Sequence, residues 1–138
     1  MKVLLDTCVI IDFLQKREPF FENAKQIFLM SAKQTFDFFI TAKSLLDIYY
    51  IIHHTTHSNE AAKLAIQKII ELFSVLPTTG KDCQNALLSD ISDYEDAVMV
   101  ESAKENNIDC IVTRNIKDCR KSDFCVLLPE DFVQKDMQ

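Results

Sequence analysis

The sequence predicts an α/β protein, a three-layer α/β/α sandwich around a central, mostly parallel sheet. Three observations predict it. Short apolar runs alternate with longer stretches whose apolar residues recur every three or four positions. The 138 residues suit one domain, residues 1–138, without a linker, internal repeat or low-complexity stretch. Residues able to cap a helix, Asp6 and Thr41, directly follow two of the apolar runs, where a strand must turn into a crossover helix.

The elements follow in order. Lys2–Leu5 is a short apolar run ending at Asp6, as in a buried parallel strand, and a helix starts near Val9. Pro19 opens a helical pattern through Phe20, Phe21, Ala24, Ile27, Phe28 and Ser31. Phe36–Ile40 is aromatic and β-rich, a second strand, and Thr41 caps an apolar helix from Ala42 to about His54. Ser58 caps the next helix, to Phe73, with Ala61, Ala62, Ala65, Ile66, Ile69, Ile70 and Phe73 turned inward. Ser74–Leu76 is a strand stopped by Pro77. Asp82–Leu88 and Asp93–Asn107 read as helices, with Asn106-Asn107 at the turn because Asn tolerates the left-handed conformation. Cys110–Thr113 and Cys125–Leu128 are the last strands, and Pro129 begins a final helix.

Composition limits the function. There is one glycine, Gly80. Dinucleotide and Walker A loops, the G-x-S-x-G elbow and the EF-hand all need glycine at fixed positions. A site must therefore be built from side chains. No apolar run reaches the ~20 residues of a membrane span, and Asp6 comes too early for a signal peptide. Cys8, Cys83, Cys110, Cys119 and Cys125 are odd in number and irregular in spacing, as expected of free thiols in a reducing cytoplasm. The net charge of −6 argues against binding nucleic acid by global charge. The acid is concentrated in residues 70–138, which carry fourteen Asp/Glu against seven Lys/Arg.

Some of those acids lack a full structural reason. Asp6 ends the first strand, at the edge of the sheet where sites form, although it also suits an N-cap. Asp47 lies in the apolar stretch Ser44–Ile52, where a carboxylate is costly unless paired, hydrated or metal-bound; Lys43, four residues earlier, is an available ion-pair partner. Asp90, Asp93, Glu95 and Asp96 form an acidic cluster. Ser92–Glu95 fits a capping box, but capping does not require Asp96. Arg114, Lys117, Arg120 and Lys121 follow the Cys110–Thr113 strand, with Asp118 among them. Separated acids converging at one end of a sheet repel unless a cation lies between them. Hard oxygen donors select Mg²⁺ or Mn²⁺, which in turn binds substrate phosphates, with Arg114 and Lys117 as flanking phosphate contacts.

The stretch Leu4-Leu5-Asp6-Thr7-Cys8-Val9-Ile10-Ile11-Asp12-Phe13-Leu14 resembles the opening of PIN-domain proteins, with Cys8 where Asn is usual. Asp93-Tyr94-Glu95-Asp96-Ala97 and Val112-Thr113-Arg114-Asn115-Ile116-Lys117-Asp118 resemble the later signatures of that family, and the ordered set covers about residues 2–135. The resemblance implies a PIN-like metal-dependent ribonuclease, often the toxin of a bacterial toxin–antitoxin pair of the VapC kind. It matches Asp6 and Asp96 to the first and third acids of the family, and Asp47 to a second acid that is usually Glu. For the fourth, Asn115 follows the Thr-Arg pair directly and Asp118 lies three residues later; Asp118 is the expected ligand and Asn115 a neutral ligand or water holder.

Two other readings compete. A PIN-fold binding module with a degraded site, acting through a protein partner, fits Asp47 for Glu and Asn115 for an acid. A phosphoacceptor domain needs paired acids after its first strand, and Asp6 has no acidic neighbour. His53 and His57 have metal-ligand spacing without a third ligand, and read as a polar helix end. Tyr49, Tyr50, Ile51, Ile52 and the Phe20-Phe21 pair exceed an obvious core requirement, which suggests a homodimer or an antitoxin-binding groove.

Overall fold

The computed structural model describes residues 1–116 and 124–137, with seven helices and five strands among them. The strands are β1 (Lys2–Leu5), β2 (Asp37–Thr41), β3 (Ser74–Leu76), β4 (Cys110–Val112) and β5 (Val126–Leu127). The helices are α1 (Thr7–Leu14), α2 (Phe21–Ala32), α3 (Ala42–Thr56), α4 (Asn59–Leu72), α5 (Gly80–Ala86), α6 (Tyr94–Glu105) and α7 (Pro129–Met137). The sheet order is β3-β2-β1-β4-β5 and every pairing is parallel. The chain builds outward from β1 to β3, then returns to the other side of β1 for β4 and β5. The strand order therefore reverses between β1 and β4, and a crevice opens at such a point beyond the carboxyl ends of the strands.

Alternation along the strands makes the two faces. Val3, Leu5, Phe38, Ile40 and Val112 pack into a cluster with α1, α2, α3, α4 and α7 residues such as Ile10, Ile27, Ile48, Ile69 and Phe132. Leu4, Leu76 and Ile111 pack on the other face with Ala86, Ala97, Val100 and Ala103 of α5 and α6. That is the three-layer sandwich the sequence predicts. Most strand residues are apolar on both faces because both are covered by helices.

Local chemistry sets the element ends. Thr41 closes β2 and caps α3, its hydroxyl accepting from Ser44 N at 3.1 Å. Ser58 caps α4 through Ala61 N at 3.1 Å. The helix expected from Asp82 begins at Gly80, because Thr79 and Asp82 form a reciprocal capping box. Gly80 has ordinary negative φ; the left-handed positions belong to Lys16, Gln34, His57 and Asn107. Asn107 turns the chain after α6 as expected. Ile70 departs from its expected inward position and is exposed.

Part of the excess apolar set packs inward. Ile51 and Ile52 pack on the core, Phe21 lies against Phe13, and Phe20 lies under Arg114. Tyr50 is exposed as expected, beside Leu46 on one face of α3, Phe20 stays partly exposed, and Leu64, Ile70, Leu87 and Leu88 add further exposed apolar surface. No helix among the described residues is long and apolar enough to cross a membrane.

Candidate active site

The crevice between β1 and β4 opens into a cleft of about 720 Å³ lined by residues of α1, α3, α6 and the strand ends. Asp6 enters it because β1 must stop where α1 begins. Its backbone is extended, with φ −71° and ψ 153°, and Oδ1 accepts from Thr7 N at 2.7 Å to cap α1. Oδ2 accepts from the buried Thr113 hydroxyl at 2.6 Å and from Cys8 Sγ at 3.6 Å. The capping reading of Asp6 is correct but incomplete, since a carboxylate has about four acceptor positions. Burial, then the charge of Asp6, pushes the Cys8 thiol up to about 12. It therefore stays protonated and donates to that carboxylate.

A chain of hydroxyls ties the strand ends together. Thr7 Oγ1 donates to Ser44 Oγ at 2.8 Å, and Thr41 Oγ1 donates to the same oxygen at 3.1 Å. Thr113 Oγ1 in turn accepts from Asn115 N at 3.0 Å. The ends of β1, β2 and β4 are thus cross-linked around Asp6.

Asp47 and Asp96 line the same cleft from α3 and α6, and Asn115 lines it from the turn after β4. Asp96 is in the first turn of α6, its backbone N–H held by the Asp93 cap at 2.9 Å. Asp47 is paired: Lys43 Nζ lies 2.5 Å from Asp47 Oδ2 and 3.2 Å from Glu95 Oε1. Burial pulls the Lys43 ammonium down, but its hydrogen bonds to Asp47 and Glu95 and their charges outweigh this and hold its pKa above the ordinary lysine value. No three His, Cys, Asp or Glu side chains among the described residues are gathered closely enough to hold a metal ion. The carboxylates share a cleft without forming a closed cage. Asp118 and Lys117 lie outside the described residues.

Arg114, a candidate phosphate contact, is held against α1 and Phe20. Its Nε and Nη2 donate to Asp12 Oδ2 and Oδ1 at 2.7 and 3.1 Å, a two-point grip on a carboxylate 1% exposed. Its guanidinium also stacks 4.0 Å from the Phe20 ring centroid. It clamps the end of β4 to α1. Sequence reasoning missed three residues here: Asp12, Thr113 and Lys43 as a bridge to Glu95. The periodicity of α1 could have flagged Asp12, since it falls among apolar residues just as Asp47 does.

The family model described as PIN domain matches residues 2–117. The chain belongs to the PIN domain family. No curated protein matches the sequence. Solved PIN-like structures share its fold at low identity. VapBC2 from Rickettsia felis, bound to a DNA fragment from the promoter of that pair, is 14% identical with a TM-score of 0.63, covering 91% of this chain and 97% of that one. A toxin–antitoxin complex from Klebsiella pneumoniae is 18% identical with a TM-score of 0.67, covering 92% and 97%. FitAcB from Neisseria gonorrhoeae is 17% identical with a TM-score of 0.64, covering 93% and 98%. This PIN domain thus has the family's fold over nearly its whole length, with Asp6, Asp47 and Asp96 lining one cleft.

Proposed function

We propose that this chain is a metal-dependent endoribonuclease that hydrolyses RNA phosphodiester bonds and acts as the toxin of a toxin–antitoxin pair. The supporting observation is that Asp6, Asp47 and Asp96, carried by three separate elements, line one cleft at the topological switch point. PIN domains are generally nucleases that use divalent metal ions. The donor chemistry fits such an ion: Asp6, Asp47, Asp96 and Asn115 offer hard oxygen to the cleft. Mg²⁺ or Mn²⁺ would be held by these residues, with Asp118 as the expected fourth carboxylate. Bound there, the ion supplies an activated water and offsets charge at the phosphorus.

The chain's own residues have separate tasks. Thr113, Thr7 and Cys8 fix the orientation of Asp6 through three donors. Lys43 holds Asp47 and Glu95 together, which limits repulsion in the acidic wall. Asn115 is a neutral donor or acceptor at the mouth of the cleft, and Lys117 a flanking phosphate contact. The exposed Leu46, Tyr50, Leu87 and Leu88 provide apolar surface for a cognate antitoxin and for a second copy in a homodimer. The toxin assignment draws support from the solved VapBC and toxin–antitoxin complexes with the same fold. Cytoplasmic residence is part of the same proposal.

The test is cleavage of a panel of structured RNAs by purified protein with Mg²⁺ or Mn²⁺. Asp6→Asn with Asp96→Asn abolishes cleavage; cleavage that survives both changes overturns the assignment. One observation favours a binding module instead: Lys43 already neutralises Asp47, and the described carboxylates form no cage. Calorimetry separates the two, because a module with a degraded site takes up no Mn²⁺ at millimolar concentration.

A further inference from the structure

Far from the cleft, at the opposite end of the sheet, two thiols meet. The register Ile111↔Val126 places Cys110 of β4 beside Cys125, the residue preceding β5, and Ile111 N donates to Cys125 O at 2.9 Å. Neighbouring strands lie about 4.8 Å apart, within the Cα separation that a disulfide bridges. The side chains already face each other: Cys125 Sγ donates to Cys110 Sγ at 3.2 Å. Cys110 is buried and Cys125 exposed, beside a cavity of about 330 Å³ that Lys135 and Asp109 also line. Among the described residues no other thiols touch.

We propose that Cys110 and Cys125 are a dithiol modification site that closes to an intramolecular disulfide by exchange with small-molecule disulfides. The exposed Cys125 thiolate attacks one sulfur of an R–S–S–R reagent, forming Cys125–S–S–R and releasing RS⁻. The Cys110 thiol then loses its proton and attacks the Cys125 sulfur, releasing a second RS⁻. Two protein thiols are oxidised to one disulfide, and one reagent disulfide is reduced to two thiols that take up the two protons.

The asymmetry sets the order of attack. Burial, then the neighbouring Cys125 thiol, pushes the Cys110 thiol well above its ordinary value, while Lys135 pulls it down. Cys110 is therefore the resolving sulfur, reacting only once the partner sulfur is held against it. The new bond joins residues 15 apart in sequence and staples the two ends of the segment between β4 and β5, which carries Arg114 and Asn115. Nothing in this requires the nuclease assignment.

The experiment incubates the reduced, folded full-length chain with oxidised glutathione and reads intact mass, a peptide map and Tm. The expected product has lost two hydrogens, maps to a Cys110–Cys125 link, and melts about 5–10 °C higher, from the loop closed by the bond. Cys125→Ser, an exposed and well-tolerated change, shows neither the link nor the shift. Cys110→Ser retains glutathione on Cys125. A product that stops at the glutathione adduct on wild-type protein overturns the proposal. So does a link from either cysteine to Cys119, or an unchanged mass.

Discussion

Replacing Arg114 with Ala separates a clamp from a phosphate contact. The variant leaves the Asp12 carboxylate, 1% exposed, without the two hydrogen bonds at 2.7 and 3.1 Å that hold it. Stranding one partner of a buried pair costs about 3–5 kcal/mol. The lost stacking on Phe20 adds about 0.5–1 kcal/mol, because the Arg114 side chain is partly exposed. With an unfolding entropy of about 2.1 cal/mol/K per residue, a chain of this length loses about 0.3 kcal/mol per degree near its midpoint. The expected fall in Tm is about 12–20 °C, measured by calorimetry and checked by the urea midpoint at unchanged slope. The double variant with Asp12→Ala costs clearly less than the sum of the two single changes. Binding to a short RNA, measured on the folded fraction, changes little. An Arg114→Ala protein that melts within about 3 °C of wild type but loses RNA affinity refutes the clamp and restores the phosphate contact.

Thr113→Val removes the 2.6 Å hydrogen bond to Asp6 without changing side-chain volume, and lowers stability by about 1.5–3 kcal/mol in urea denaturation, as for a bond to a charged group. Lys43→Met frees Asp47 and Glu95, so Mn²⁺ affinity rises in calorimetry if the cleft binds metal; a fall assigns Lys43 to the architecture that presents the ligands. The same residue predicts an alkaline effect. Its folded pKa is above the unfolded 10.5, so its stabilisation is complete below pH 10.5 and is lost as pH rises above it, a loss that Lys43→Met lacks in pH-dependent melting. Gln34→Gly relieves a left-handed residue at φ 57° and raises stability by up to about 1 kcal/mol, read as a higher Tm.

The fold was legible because its signals are local. Lys2–Leu5 and Ser74–Leu76 are short apolar runs, Thr41 and Ser58 are capping residues, and helix spacing separates α2, α4 and α6 from the strands. The misplacements came from long-range or reciprocal interactions. Asp82 looked like a helix start until its side chain was seen returning to Thr79 N. Phe20 looked superfluous because the cation above it comes from Arg114, far along the chain. Ile70 fits the inward spacing that its buried neighbour Ile69 keeps, yet it is half exposed, which spacing alone does not reveal. The Arg114–Asp12 grip was not legible for a related reason: a cation after a strand end suggests a phosphate contact, and its buried partner cannot be inferred from spacing.

The cleft itself shows why position was easier to read than partnership. Sequence order put Asp6, Asp47 and Asp96 at strand ends and on helix faces that converge, since a parallel sheet with a switch point leaves few other places for them. Their charge balance was not legible. The lining carries Asp6, Asp47, Asp93, Glu95 and Asp96 against Arg17 and Lys43, and Arg17 donates to Gln15 Oε1 at 3.0 and 2.8 Å. Among the described lining residues, Lys43 is ion-paired with that wall, through Asp47 and Glu95. Asp6 and Asp96 lie on the same wall of the cleft, at the switch point. A polyanion approaching that wall is repelled unless a divalent cation lies between the carboxylates and the phosphate. If the chain is the nuclease proposed above, the carboxylates that line the cleft also make its RNA binding depend on a divalent cation.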